Sequence, residues 1–351
     1  MWQGDSCMSN FKKAILTTVL FILVLAAFHI PIFACLLENE NFHYQDYRER
    51  EALSGTLDYV VVGSSHAMWA INPKILDEKL GVNSYNLSNE WLNVKSRYTL
   101  LEYEIRRNPI KTVIYEVSYD TLRTGDIMGD EYALTRWSTI PERIRFFIHH
   151  IKPKDYLNVY QFLFTQGVEC AGYVLDGTNS KTIPNPDMYK GYFRRLDYDV
   201  TADYAAIYNT DPLEFEVVDA SMEYMQKTVD LCKENGIEII LVNVPNSRAM
   251  ICRRTNLDLY REIYQEFADE NDLIFVDFNL LKTKDEVFPD KYAYFNEEHL
   301  AGRYANFYTA FMVDTIARIE SGEDLSDEFF DSYEAYEMIQ DYYPQEKEKA
   351  Q

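Results

Sequence analysis

The chain has 351 residues, and with 47% apolar side chains it can bury a large core, which excludes global disorder. Its formal charge of −23, from 34 basic and 57 acidic side chains, repels a phosphate backbone, so no nucleic-acid partner is expected. Five cysteines without CxxC or Cys/His spacing give no metal motif; free thiols are expected, and no cofactor. The aromatic content, with 28 Tyr, 20 Phe and 4 Trp, serves a core or a surface that contacts sugars or peptides.

Ala14 to Leu37 carries no charge. A helix of that length spans roughly 36 Å, enough for a hydrocarbon core of about 30 Å. Lys12 and Lys13 precede it and Glu38, Glu40 and Asp46 follow, so the bias of basic residues puts the N-terminus in the cytoplasm and the rest outside. A cleaved signal peptide would have a shorter apolar region and an A-x-A-like site, which is not found. Ile32-Phe33-Ala34-Cys35 makes a poor lipobox because of the Phe. The expected organisation is a cytoplasmic stretch 1–13, a membrane anchor 14–37, a stalk 38–56, an α/β domain 57–320 with an insertion at about 121–215, and an acidic, solvated tail 321–351.

Within the domain, Asp58 to Val62 reads as a buried parallel strand ending at Gly63. Pro73 opens a helix that runs over Lys74 to Leu80 and stops at Gly81. Ser84 to Leu87 is a second strand, Val94 to Arg107 a helix and Thr112 to Val117 a third strand. The alternation resumes with a helix from Val218, whose apolar face is Met222, Met225, Val229 and Cys232, ended at Asn235-Gly236. Ile237 to Val244 is strand four, Asn256 to Ala268 a helix and Leu273 to Phe278 strand five. A last helix is expected from about Glu297 to Ile319, with Leu300, Tyr304, Phe307 and Phe311 inward. Strands separated by helices predict a parallel sheet covered on both faces. The intervening stretch, with a helix around Pro141 to Ile151 and a loop near Gly177 to Pro186, is too long for a connection and is expected beside the strand ends.

Function in such sheets gathers at the carboxyl ends of the strands. Strand one ends in Gly63-Ser64-Ser65-His66, a turn able to expose a hydroxyl beside backbone N–H groups, although serine there also serves simply as a helix cap. A nucleophilic serine needs a base. Of six histidines, His29 lies in the apolar segment, His43 in the stalk, and His149 and His150 in the insertion. His66 adjoins the serine, where side chains rarely face each other. His299 remains, in Asn296-Glu297-Glu298-His299-Leu300, on a loop that returns to the rim of strand one. Asn296 also reads as the cap of the last helix, whose first turn carries acids.

The segment VVVGSSHA and the Asn-x-x-His-Leu before the final helix resemble the SGNH (GDSL-type) hydrolases. The likeness covers roughly residues 57 to 320 without the insertion. It leans toward the membrane-anchored, cell-envelope branch, where Gly-Ser-Ser stands for Gly-Asp-Ser; the D-alanine-transfer proteins of teichoic acid synthesis and the alginate O-acetylation proteins are relatives of that sort. The resemblance implies a three-layer α/β/α, flavodoxin-like domain with a five-stranded parallel sheet. It implies Ser65 as nucleophile, Ser64 in place of the family's Asp, and His299 as base. The pattern departs at Asn296, where the family has Asp. It departs again at Asn86-Leu87-Ser88-Asn89, which has no block glycine, and at Val117-Ser118-Tyr119-Asp120, where Tyr119 replaces the oxyanion asparagine. Glu297 or Glu298 is an alternative partner for His299, and Ser88 or Asn89 is the candidate oxyanion donor.

Two functions follow as expectations. One is an ester hydrolase or O-acyltransferase acting on cell-surface glycans or acylated polymers, with a membrane acyl-transfer partner. Tyr192, with Tyr189 and Tyr198, and Arg194 and Arg195 are candidate contacts to an anionic sugar chain, or else an ordinary surface cap. The other is an inactive domain of the same fold that binds an envelope polymer or scaffolds a membrane assembly.

Overall fold

The computed structural model describes residues 4–38, 46, 49–122, 145–149, 151–175, 188–195, 217 and 219–335. It divides into two compact units, one of residues 1–45 with 144–184, the other of 46–143 with 185–351. The first contains helix α1, Gly4–Glu38. Its stretch Lys12–Ile32 has a mean hydropathy of 2.5 and is long and apolar enough to cross a membrane.

In the second unit, β1 (Tyr59–Val62) runs into α2 (Ser65–Ala70), α3 (Pro73–Leu80) and β2 (Ser84–Asn86). Helix α4 (Val94–Ile105) leads to β3 (Thr112–Glu116). In the first unit again, α5 (Tyr156–Leu175) packs along α1. Gly167 lets the backbones approach, since a Cβ there would stand 2.7 Å from Cγ2 of Ile32. Nδ1 of His29 donates to the Leu25 carbonyl at 2.8 Å and Nε2 accepts the Tyr160 hydroxyl at 2.6 Å, so its polarity is met within the helix pair. The sequence reading missed α5, because Asn158, Gln161 and Gln166 interrupt its apolar pattern. The expected insertion thus divides, with 145–149 and 151–175 in the first unit and 188–195 in the second. The loop Gly177 to Pro186, Tyr198 and most of the helix expected around Pro141 lie outside the described residues.

The second unit continues with a hairpin, β4 (Met188–Tyr189) and β5 (Tyr192–Phe193), joined by Lys190 and Gly191, both at positive φ as a tight two-residue turn requires. Then come α6 (Asp219–Glu234), β6 (Glu238–Asn243), α7 (Arg248–Arg253), α8 (Leu257–Asn271), β7 (Ile274–Asp277) and α9 (Gly302–Glu320). The sheet has five strands in the order β2-β1-β3-β6-β7, and all four pairings are parallel. Right-handed crossovers put α4, α6 and α8 on one face and α2, α3 and α9 on the other. The contacts agree, with α9 on α2 and α3, and α4 on α6.

Val61, Ile114, Ile240, Val242 and Val276 from the sheet meet Ala67, Ala70, Ala305, Tyr308, Met312 and Ile316 from the helices in one buried cluster. Each large side chain there contributes about 1.5–3 kcal/mol by leaving water. The inward face of α9 is therefore Ala305, Tyr308, Met312 and Ile316. Tyr304 and Phe311 pack only partly against the cluster, and Phe307 is 48% exposed. Of the expected inward residues Leu300 is buried in the same cluster, but it precedes α9, which starts at Gly302 and not near Glu297; within the helix the buried positions fall one residue after Tyr304, Phe307 and Phe311. Asn296 Oδ1 accepts the N–H groups of Glu298 and His299, a local turn that competes with the helix.

The tail also departs from expectation over 321–335. Phe329 bridges Leu281, and Tyr333 packs with Ile251 and Leu280 while donating its hydroxyl to Asp277 at 2.8 Å. Glu323 and Glu328 pair with Arg318. Aromatic residues among the acids give this segment something to bury. Residues 336–351 lie outside the described residues.

Candidate active site

The end of β1 is built around a close approach. A Cβ on Gly63 would lie 2.6 Å from the Cβ of Glu116 and 2.7 Å from that of Ala67, so only glycine fits between the strand and the helix that follows. Ser64 then caps α2, its Oγ accepting the N–H of His66. Glu116 is fully buried at the end of β3, and its Oε2 accepts both the N–H of Ser64 at 2.7 Å and its hydroxyl at 3.0 Å. Arg97 supplies the countercharge at 3.6 Å and donates to the Glu116 carbonyl at 2.7 Å and the Leu92 carbonyl at 2.8 Å. This buried pair fixes the turn that presents Ser65. Its only sequence signal was a lone acid at the carboxyl end of the apolar strand TVIYEV.

The loop before α9 brings His299 back to that turn. Ser65 Oγ lies 2.9 Å from His299 Nε2, and His299 Nδ1 lies 2.9 Å from Asn296 Oδ1. The amide orientation is fixed by chemistry, because the two backbone N–H groups that point at Asn296 need an oxygen. That oxygen can only accept, so Nδ1 of His299 carries the proton and the Nε2 lone pair faces the Ser65 hydroxyl. The amide thus selects the tautomer a general base requires. Glu298 turns instead to Arg254, 3.4 Å away, and the ring nitrogens of His299 meet Ser65 and Asn296, so Asn296 is the residue that orients the imidazole.

His299 is 8% exposed, with Trp69 edge-on at 4.2 Å, Phe295 stacked at 5.6 Å and His66 at 4.8 Å between ring centroids. Burial, reinforced by His66 and the guanidinium groups of Arg254 and Arg195, holds its pKa well below the ordinary imidazole value. The ring is neutral at physiological pH. The hydroxyl and imidazole open into a cleft of about 250 Å³, lined also by Trp69, Trp91, Asp120 and Glu298. Trp91 is 55% exposed and sits at φ 56, an unfavourable conformation for a residue with a Cβ.

The other candidates fare differently. Ser88 and Asn89 are fully buried behind β2 and do not line the cleft; Asn89 lies against the turn, its N–H donating to the Gly63 carbonyl at 3.4 Å. Tyr192 belongs to the core at 2% exposure, because the β4–β5 hairpin lies against β2, where the Asn86 N–H donates to the Lys190 carbonyl at 2.9 Å. Arg194 is exposed and away from the cleft. Arg195 stacks its guanidinium over Phe193 and Phe295, both at 5.1 Å, and Trp69 at 5.4 Å, so it braces the aromatic wall behind His299 instead of lining the cleft. Tyr119, at the position of the family's asparagine, is buried against Tyr260.

The second unit is thus an α/β domain with a hydroxyl–imidazole–amide chain at the carboxyl edge of its sheet. No protein-family model matches the chain, and no curated protein is similar to it. Among solved structures it is similar to a protein described as an acylhydrolase from Bacteroides fragilis NCTC 9343, at 9% identity and a TM-score of 0.39, covering 80% of this chain and 99% of that one. It is also similar to a protein described as a lipolytic protein of the G-D-S-L family from Desulfitobacterium hafniense DCB-2, at 10% identity and a TM-score of 0.36, covering 73% and 98%. A GDSL-like lipase from Bacteroides thetaiotaomicron VPI-5482 is a third, at 10% identity and a TM-score of 0.38, covering 79% and 98%.

Proposed function

We propose that the protein is a serine ester hydrolase or O-acyltransferase, held at the membrane by α1, with its domain outside the cell and acting on acyl esters of surface glycans or envelope polymers. The observation that carries the chemistry is the chain from Ser65 through His299 to Asn296, with both hydrogen bonds at 2.9 Å. Ser65 Oγ attacks the ester carbonyl carbon while Nε2 of His299 takes the hydroxyl proton. The oxyanion meets the N–H of Ser65; one such donor is typically worth about 10²–10³ in rate. Collapse releases the alcohol, which takes the proton from the imidazolium and leaves an acyl-enzyme. Water as the next acceptor makes the protein an esterase, and a sugar hydroxyl makes it a transferase. In the transferase, a membrane partner would supply the acyl group. Incubation of the protein with a fluorophosphonate, followed by peptide mapping, tests the reading: a phosphonylated Ser65 supports it.

A second reading has its own support. The buried Tyr119 and the neutral Asn296 remove two groups that acyl transfer would use, which favours an inactive domain that binds an envelope polymer. Protein that resists the fluorophosphonate but still binds a glycan favours this reading.

A further inference from the structure

The acyl-transfer scheme leaves His66 and Glu298 without a task. His66 is 4% exposed, and its Nδ1 is buried without a hydrogen-bond partner among the described residues. Both residues line the cleft beside His299. One ligand-capable atom from each of His66, Glu298 and His299 lies within 4.8 Å of the other two.

We propose that these three side chains form a site for a borderline divalent cation, zinc being the best match, and that its occupancy takes His299 away from Ser65. The second half of this inference rests on the serine-hydrolase reading, and the first half does not. Two imidazole nitrogens and one carboxylate, with a fourth position open to the cleft, make a donor set suited to zinc. The tautomer is already correct: Nε2 of His299 carries a lone pair, and Nδ1–H donates to Asn296, the outer hydrogen bond that orients a ligating imidazole. Tetrahedral ligands with bonds of about 2.0–2.2 Å stand roughly 3.4 Å apart, so the cluster must contract by up to about 1.4 Å. Glu298 can supply that movement, because Arg254 has a second carboxylate, Asp120, at 3.4 Å and keeps a partner when Glu298 turns. Arg254 and Arg195 oppose a dication here, while Asp120 and Glu90 at the cleft offset them. Metal on Nε2 occupies the lone pair that would accept the Ser65 proton, so inhibition is reversible and competitive with acylation.

The test uses metal-free, full-length Ser65→Ala protein in detergent, titrated with zinc chloride against a chromophoric chelator. One zinc per chain is expected, with affinity lowered at least tenfold by His66→Gln and by Glu298→Gln. No zinc uptake, or uptake untouched by both substitutions, overturns the site; if His66→Gln does not fold, Glu298→Gln alone decides. In the otherwise unaltered protein, ester turnover should fall as zinc binds and return with EDTA; turnover indifferent to bound zinc overturns the inhibitory half. Zinc uptake by a protein that never turns over esters or takes the fluorophosphonate leaves the metal site standing and removes the proposed function. Turnover without zinc uptake does the reverse.

Discussion

Asn296→Asp places a carboxylate where an amide now orients His299, and its effect follows from the geometry. The new side chain keeps its acceptor position for the N–H groups of Glu298 and His299, so the turn is preserved. It adds a negative charge next to Nδ1, where the amide oxygen now stands 2.9 Å away. Opposite charges about 4 Å apart at an effective dielectric of about 20 attract by roughly 4 kcal/mol. Half-burial of position 296 costs the carboxylate part of this, leaving a net stabilisation of the imidazolium of about 1.5–4 kcal/mol. Acylation builds that imidazolium, so turnover of a simple acyl ester should rise about 10–10³-fold. The imidazole pKa should rise with it. The assay pairs steady-state hydrolysis with NMR titration of His299. A pKa that climbs by a unit or more while turnover stays flat or falls would refute the claim that Nε2 is the working base.

Other expectations concern pH, stability and topology. Since the folded protein holds His299 well below its ordinary pKa, the acid limb of kcat/KM in EDTA-treated protein should fall below the ordinary imidazole value. The unfolded chain takes up that proton first, so stability should decline as pH drops below about 6.5; an acid limb centred at or above that value contradicts the account. Glu116→Ala strips the buried Arg97 of its countercharge and should cost about 3–5 kcal/mol in denaturant unfolding, whereas a loss under about 1 kcal/mol would show that the pair does not hold the turn. Protease added to intact cells should digest the sheet domain and spare the N-terminus, and a domain resistant until lysis would reverse the proposed orientation.

Much of the fold was legible because the elements that carry it obey local rules. The run YVVV is buried on both faces and closes at glycine. Asn72 accepts the Lys74 N–H at 3.0 Å just before Pro73, and Gly81 ends the same helix at φ 67. The pairing of Ser65 with His299 was legible from topology, since the last loop of such a sheet returns to its first strand. What failed depends on contacts distant in sequence. Nothing around Tyr192 says that its hairpin packs against β2 and buries the ring. Glu116 looked like one strand residue among others until Gly63 and Arg97 closed over it. Asn296 showed the reverse weakness: a good helix-capping residue whose side chain was already committed to a turn and an imidazole.

The central claim is that Ser65 is a nucleophile activated by His299. The most direct measurement is the rate at which the full-length protein takes up a fluorophosphonate at Ser65, read by mass spectrometry of the labelled peptide, beside Ser65→Ala and His299→Ala. The account predicts stoichiometric labelling of Ser65 in the unaltered protein, none in Ser65→Ala and a rate at least about 10²-fold lower in His299→Ala, the scale of a lost general base. A Ser65 that stays unlabelled, or one labelled at the same rate without His299, would contradict it.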